Sequence, residues 1–542
     1  MRMKIWVLLI LTSSFILWPL KHHGLPPSHD AETHIIRSYQ FDKTLRDGDW
    51  YPRWQPDVNK GYGSPLLNYS YPLPYYVISI FHFFGFSFID GFKLALAFAT
   101  ITGGILLFLW ARIFWGNLGG LISSTVYTFS PYHIVDLYVR GALGEIWSLA
   151  LFPGFLWAVT MLIKKKNVNF FVPSALFLGL LILSHNILAY MFFPFAIVYC
   201  VVITMISGET KKSLVYVSSL ILLGLGISGI FWIPALLEKE FVRGLLVYNI
   251  YEHFPEVYQL IVPSWGTGFS NTDLSNQMSF QIGIVNILAV LTNIFILLQL
   301  FKKNIKDAVV IIFFLIVFFV VMFLLLNVSY PVWKYAPFLN YFQFPWRFLS
   351  LEILISAFLA GSILKFWNVR VLGYILVLVT ILLTIGYITP SYYWEREDSY
   401  YFSRPNFMDG TNISGNIFNT IWFDEELKKQ KEKIVIISGH GTVSDLSIKS
   451  TKYVFTLIAQ TPLTAQVKTA YFPGWEVKVD KKTTAIHKTK EGLFEFNISS
   501  GKHLVEVKFT NTPIRKAATF VSLASLTILF LFSRGLFDRM KR

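Results

Sequence analysis

Apolar runs of about 20 residues recur along most of this 542-residue chain. A helix needs a run of that length to cross the hydrocarbon core of a bilayer. The composition agrees, since 54% of the residues are hydrophobic and 15% are charged, against about a quarter charged in soluble domains. A β-barrel would show short alternating segments instead. The sequence therefore predicts a polytopic α-helical membrane protein with about 12 spans.

The basic residues indicate how the spans are oriented. They lie in short clusters between the apolar runs, as cytoplasmic loops do, and this explains the net charge of +15 without a nucleic-acid partner. Between the basic N-terminus and the lysines at 164–166 lie five apolar segments, so one of them does not span. The candidates are the aromatic-rich 72–90 and the shorter 119–136. We expect both termini in the cytoplasm of a plasma-membrane protein and the loop 21–71 outside.

The composition changes after Ile388. Residues 389–512 are polar, with short runs of alternating apolar and polar residues separated by Gly, Asn, Asp and Lys. This pattern predicts a β-sandwich of roughly seven or eight strands, which the same count of crossings places outside. We therefore expect a transmembrane module over 1–388, an external β-sandwich over 389–512, and a last span with a basic cytoplasmic tail over 513–542.

The stretch 28–54 is an unusually polar segment that follows the first apolar run. Asp30 could act there as a general base on an acceptor hydroxyl, or hold a divalent cation such as Mg²⁺ or Mn²⁺. On a helix, Asp30 and His34 would share one face. The other interpretation makes Asp30 the cap of a helix N-terminus. The stretch also holds candidate substrate-binding groups, for which a plain loop or interfacial position is the alternative: His29, Trp50 and Arg53.

Later loops and spans supply further candidates. Glu145 directly precedes an apolar run, and an ionisable group at membrane depth suggests a function and a partner. Arg140 is either that partner or a phosphate ligand. Arg347 lies inside another run, where it either snorkels to the interface or binds a lipid phosphate. His185, between two runs, either marks a turn or contacts a phosphate. The candidate metal ligands are Asp30, Glu145 and His34.

With these residues in place, the chain resembles the GT-C class of integral-membrane glycosyltransferases, which use polyprenyl-phosphate-linked sugars. The resemblance rests on His29-Asp30 in the first loop, the stretch DGDWYPRW at 47–54 later in that loop, and the pair Arg140 and Glu145 in the second loop. About a dozen spans complete it. The stretch AYFPGWEVKVDKK at 470–482 is similar to the closing domain of the YfhO-type branch of membrane proteins.

The resemblance implies an inverting transfer of a sugar from a polyprenyl-phosphate donor to an unidentified acceptor on the extracytoplasmic face. Asp30 would deprotonate or orient the acceptor hydroxyl, and Glu145 would place the acceptor or a cation. Arg347, with Arg140 or His185, would stabilise the departing phosphate. The alternative is a non-catalytic polyprenyl-lipid transporter, a flippase or a cell-envelope assembly protein. For an enzyme, we expect Asp30, Glu145 and Arg347 to converge on one cavity.

Overall fold

The computed structural model describes residues 2–208, 210–244, 249–300, 304–367, 370–411 and 414–541. It has a helical membrane module, a two-sheet β domain and a closing helix. The helices are α1 Arg2–Phe15, α2 Ala31–Arg46, α3 Leu73–Phe83, α4 Phe88–Thr128, α5 Pro131–Ile134, α6 Leu143–Ile163, α7 Phe171–Ser184, α8 Asn186–Ser207, α9 Thr210–Ile227, α10 Gly229–Leu237, α11 Val257–Ile261, α12 Ile284–Leu300, α13 Ile305–Leu325, α14 Tyr330–Tyr335, α15 Leu349–Trp367, α16 Arg370–Thr384, α17 Asp398–Ser403, α18 Pro405–Met408 and α19 Pro513–Lys541.

The membrane module contains helices of spanning length. Within the described residues, 7 helices are long and apolar enough to cross a membrane, or 8 if the pair 211–227 and 229–237, bent by 70°, forms one broken span. Further apolar helices, such as α1 and α12, have fewer than 18 residues. The predicted helical membrane protein is thereby confirmed, whereas the count of about 12 spans stays a prediction.

Helix α4 contains two of the predicted apolar segments. Its 41 residues do not form one straight rod, because Ser124 Oγ donates a hydrogen bond to the carbonyl of Gly104 at 2.7 Å, so the second half folds back along the first. Its helical backbone breaks at Gly116, where φ is 76° and ψ is 178°. The predicted run 119–136 therefore begins as the second half of α4. Helix α3, with 11 residues, reaches only about 16 Å, and residues 117–128 in the second half of α4 reach only about 18 Å. Which of the segments 72–90 and 119–136 does not span therefore stays a prediction.

The centre of the membrane module is formed by α4, with α6 and α15 packed against it. Both α6 and α15 are apolar on all sides, which is typical of helices enclosed by other helices. Accordingly, 89% of the apolar window of α6 is buried inside the protein, as is 94% of the window that includes α15. These two helices position two of the candidate site residues, because Glu145 lies at the start of α6 and Arg347 directly precedes α15.

The β domain is a pair of antiparallel sheets with the orders β1-β4-β8-β7 and β2-β3-β9-β5-β6. The alternation of apolar and polar residues that predicted strands is matched by the structure of β3, in which buried and less buried residues alternate. The described part has nine strands instead of seven or eight, and they begin at 434, well after 389. They are β1 Ile434–Ser438, β2 Gly441–Lys449, β3 Lys452–Ala459, β4 Leu463–Val467, β5 Trp475–Val479, β6 Lys482–Thr484, β7 His487–Lys488, β8 Phe494–Ile498 and β9 Gly501–Phe509.

The end of the first loop (residues 21–71) is built into the β domain. Trp54 is fully buried, and its ring centroid lies 5.4 Å from those of Trp475 and Phe509 in the core of the domain. Asp47 Oδ2 accepts hydrogen bonds from the amide and the hydroxyl of Ser450, at 2.7 and 2.6 Å. Helix α2 therefore has one end at the β domain and the other, at Asp30, beside the membrane module.

Candidate functional site

A buried carboxylate between two guanidinium groups forms the centre of the candidate site. Glu145 Oε2 and Oε1 accept hydrogen bonds from Arg140 Nη1 and Nη2 at 2.6 and 2.7 Å. Arg347 Nε donates to Glu145 Oε1 at 3.1 Å, and the Tyr132 hydroxyl donates to Oε2 at 3.2 Å. Arg140 and Glu145 are 4% and 2% exposed. Both oxygens of Glu145 are therefore engaged inside the protein.

The backbone around Arg140 folds so that its side chain turns back to Glu145. Residues 135–140 form a π-helical turn, an uncommon element that is frequent at functional sites. The turn ends at Gly141 in the left-handed region, with φ at 61°, and a Cβ there would lie 2.7 Å from Ser28 Oγ. Asp136, one turn before Arg140, accepts a hydrogen bond from Arg140 Nη1 at 2.5 Å. Glycine thus permits the first loop to approach this turn closely.

Arg347 points into the protein rather than snorkelling. Its Nη1 donates to the carbonyl of Phe342 at 2.9 Å and to Gln343 Oε1 at 2.6 Å. The ring of Trp346 lies 5.7 Å from its guanidinium carbon and 4.7 Å from that of Arg140. Both arginines therefore share the carboxylate of Glu145 and the ring of Trp346. Arg347 Nη2 donates to no acceptor among the described residues.

Asp30 adjoins this cluster through the backbone. Its amide donates to the carbonyl of Arg140 at 2.9 Å, and the amide of His29 donates to the carbonyl of Val139 at 3.0 Å. Asp30 occupies the N-cap position of α2, yet its side chain makes no capping hydrogen bond. No other described group donates a hydrogen bond to this half-buried carboxylate. Asp30, Glu145 and Arg347, all predicted for the site, are thus linked through Arg140.

Two histidines lie near the cluster, each beside a tyrosine. Tyr75 OH lies 3.0 Å from His34 Nδ1, and burial lowers the pKa of His34 well below its usual range. The rings of His185 and Tyr71 are 5.0 Å apart. Tyr71 reaches this place because residue 144 is glycine: a Cβ at Gly144 would lie 2.5 Å from Tyr71 Cζ. The predicted His34 and His185 therefore border the site through two tyrosines.

The side chain of His29 is held by a later segment of the chain. Its Nε2 lies 2.9 Å from the carbonyl oxygen of Thr267, and its ring stacks on Phe269 at 4.3 Å. Burial lowers the pKa of this histidine. The described residues contain no group of three or more His, Cys, Asp or Glu side chains placed to hold a metal ion.

The other two predicted substrate-binding residues lie elsewhere. Trp50 is 58% exposed, and its carbonyl accepts a hydrogen bond from Tyr76 OH at 2.5 Å. Arg53 is buried, donates to Asn68 Oδ1 at 2.8 Å and belongs to a network in which Asn68 donates to Glu238. Glu238 also accepts from Arg515 at 3.0 Å. The structure thus gives Arg53 a role in joining the first loop to α10 and α19.

Sequence reasoning missed several residues of the cluster. Asp136 and Gln343 each precede a predicted arginine by four residues, which is the spacing of one helical turn, and each accepts a hydrogen bond from it. That spacing could have indicated both residues from the sequence. Nothing comparable marks Tyr71, Tyr132 or Trp346, because aromatic residues are frequent throughout this chain.

The fold and the site define a polytopic membrane protein with a β domain attached to its first loop. The family model described as "6-pyruvoyl-tetrahydropterin synthase related domain; membrane protein" matches residues 67–393. Because the match covers more than half of the chain, the chain belongs to this membrane protein family. This confirms the expectation that the chain is a member of a family of membrane proteins.

Two further proteins match this chain at low sequence identity. An uncharacterized protein of Lactococcus lactis subsp. cremoris (strain MG1363) is 21% identical over 216 residues, or 39% of this chain. The cryo-EM structure of arabinofuranosyltransferase AftD from Mycobacteria matches 74% of this chain with 15% identity and a TM-score of 0.45. The matches cover 35% and 28% of those two chains, so this chain spans about a third of their lengths.

Proposed function

We propose that this chain transfers a sugar from a polyprenyl-phosphate donor to an acceptor on the extracytoplasmic face of the membrane. One observation carries the proposal: the carboxylate of Asp30, free of described hydrogen bonds, is fixed by its backbone to Arg140 beside the cluster with Arg347. A base next to paired cations is suited to displacing a phosphate leaving group. The base accepts a proton from the acceptor hydroxyl while the cations stabilise the charge on the departing phosphate.

The transfer is a single displacement. The acceptor oxygen forms a bond to the anomeric carbon of the sugar as its proton moves to Asp30. The bond between that carbon and the phosphate oxygen breaks, and its electron pair leaves with the polyprenyl phosphate. Because attack comes from the side opposite the leaving group, the anomeric configuration inverts.

In this proposal Glu145 is a positioning residue. Both of its oxygens are occupied by Arg140, Arg347 and Tyr132, so they are not available to a substrate hydroxyl. Its charge offsets the mutual repulsion of the two guanidinium groups, which keeps both arginines in place. Arg347 Nη2, which has no described acceptor, is the donor we assign to a phosphate oxygen.

A non-catalytic lipid transporter is the second candidate, and one observation favours it. Helices α9 and α10 form an apolar pair bent by 70° at a short break. Interrupted helices are a feature of transporters that bind their substrates near the middle of the membrane. Such a protein would move polyprenyl lipids with the same arginines and without using Asp30 as a base.

The test is a transfer assay with the purified full chain in lipid nanodiscs, a panel of radiolabelled polyprenyl-phosphate sugars, and cell-envelope extract as the acceptor. Asp30→Asn should lower transfer by about 10²–10⁴-fold, the usual contribution of a general base. The matched control is Glu32→Gln, two residues away, whose carboxylate is paired with Arg396 at 2.8 Å. Full transfer by Asp30→Asn would overturn the assignment. Lipid movement across vesicles without any transfer would favour the transporter.

A further inference from the structure

A cavity of about 400 Å³ lies between the first loop and the β domain. It is separate from the candidate site, because Lys43 on its wall is 13 residues after Asp30 in the same helix, or about 20 Å along the helix axis. Its volume is in the range of ordinary ligand pockets. Its walls come from α2, the loop at 56–61, and the segments 402–409, 429–433 and 448–453.

The walls of this cavity are strongly basic. Six lysines and three acidic residues line it, and one acid, Asp57, is neutralised by Lys43 at 2.7 Å. Three of the lysines are exposed and form no ion pair with a described residue. These are Lys429, Lys431 and Lys449. A concave surface with such an excess of positive charge attracts anions.

Lys433 lies in the same wall and is more buried than the three exposed lysines. Its Nζ donates to the carbonyl of Gly61 at 2.9 Å and lies 5.2 Å from the centre of the Tyr453 ring. Burial lowers the pKa of Lys433 to about 7. An anion bound beside this ammonium group would offset the cost of burying its charge.

We propose that this cavity binds a ligand with several oxyanions, meaning a chain that bears phosphate or carboxylate groups. The lysines would contact the oxyanions. A neutral ligand would leave Lys429, Lys431 and Lys449 without a counterion. The inference concerns binding and does not depend on the proposed sugar transfer.

The experiment measures binding of fluorescent probes to the full chain in detergent by anisotropy at low salt. The probes are a glycerol-phosphate oligomer, an oligogalacturonate and a neutral dextran of equal length. In the triple variant Lys429→Ala, Lys431→Ala, Lys449→Ala, affinity for at least one anionic probe should fall about tenfold, which corresponds to three modest charge interactions. The matched control removes three exposed lysines outside the cavity: Lys482→Ala, Lys490→Ala and Lys502→Ala.

The comparison of probes and variants decides the proposal. Whichever anionic oligomer binds more tightly identifies phosphate or carboxylate as the oxyanion. Asp409→Asn removes a negative charge from the wall of the cavity, so it should strengthen the binding of that oligomer. Dextran binding as tight as that of the anionic probes, no binding of either anionic probe, or equal losses in both triple variants would overturn the proposal.

Discussion

The amide of Asp30 donates a hydrogen bond to the carbonyl of Arg140 at 2.9 Å. This bond fastens the start of α2 to the turn that carries Arg140. Because Arg140 in turn holds Glu145 with two hydrogen bonds, the carboxylate of Asp30, which accepts no hydrogen bond from the described residues, and the buried ion cluster form one unit. Residues in three separate parts of the chain therefore have fixed relative positions, as the proposed transfer by preorganised groups requires.

Glu145→Gln should destabilise the protein by about 3–5 kcal/mol, since it leaves Arg140 and Arg347 buried beside each other without their shared counterion. The measurement is the midpoint of thermal unfolding in detergent. The control is Glu506→Gln, which breaks an exposed pair with Lys452 and should change stability by less than about 1 kcal/mol. Equal shifts in the two variants would contradict the buried role of Glu145.

Trp54→Ala should loosen the β domain. The variant removes a fully buried ring from the core of that domain, a loss that typically costs about 3–5 kcal/mol. Faster cleavage of the β domain in limited proteolysis would show the effect. Trp50→Ala is the matched control from the same loop, and because Trp50 is 58% exposed we expect a change within about 0.5 kcal/mol. Similar protease resistance in the Trp54 variant and the parent protein would speak against this docking.

The function of the segment that contains Trp50 and Trp54 could not be predicted from the sequence. Aromatic and basic residues near a membrane surface could stack on a sugar ring, but they more commonly form an interfacial belt. Trp54 instead packs on Trp475, more than 400 residues later, and local periodicity contains no information about such a contact. The helices and strands were predictable for the opposite reason, since apolar runs and alternation are local consequences of burial.

The same limit applies to the site. Glu145 and Arg140 could be paired from their spacing, but Arg347 is 202 residues from Glu145 in the sequence. An arginine inside an apolar run satisfies both the snorkelling and the binding interpretation. Its contacts with Phe342 and Gln343 exclude snorkelling, whereas phosphate binding stays a prediction. These contacts depend on two short 3-10 turns before α15, which are separated by Gln343 with φ at 67°.

His34 should make stability depend on pH. Burial keeps its pKa well below the usual value of about 6.5, so below that pH the unfolded chain binds a proton that the folded chain does not. Stability is therefore lost as pH falls below about 6.5, by up to about 1.4 kcal/mol per pH unit for one such group. His34→Gln should make the decline of the unfolding midpoint between about pH 6.5 and 5 less steep. Parallel curves for the two proteins would show that His34 does not contribute.

Gly144→Ala should displace Tyr71 from the site. A Cβ at this position would lie 2.5 Å from Tyr71 Cζ, and an overpacked contact of this kind costs about 1–3 kcal/mol. Because Tyr71 packs beside His185, the proposed sugar transfer should fall together with stability. The control is Gly386→Ala, since no atom lies within 4 Å of a Cβ built there.

A double variant separates the clash at Gly144 from a general effect on α6. If the methyl group acts only by striking the ring of Tyr71, Gly144→Ala should cost much less stability in a Tyr71→Ala background, with a coupling energy of about 0.5–3 kcal/mol. Thermal unfolding of the four proteins in the cycle gives this energy directly. Additive losses would mean that the helix, rather than the tyrosine, requires glycine at this position, and that the position of Tyr71 is set by its other neighbours.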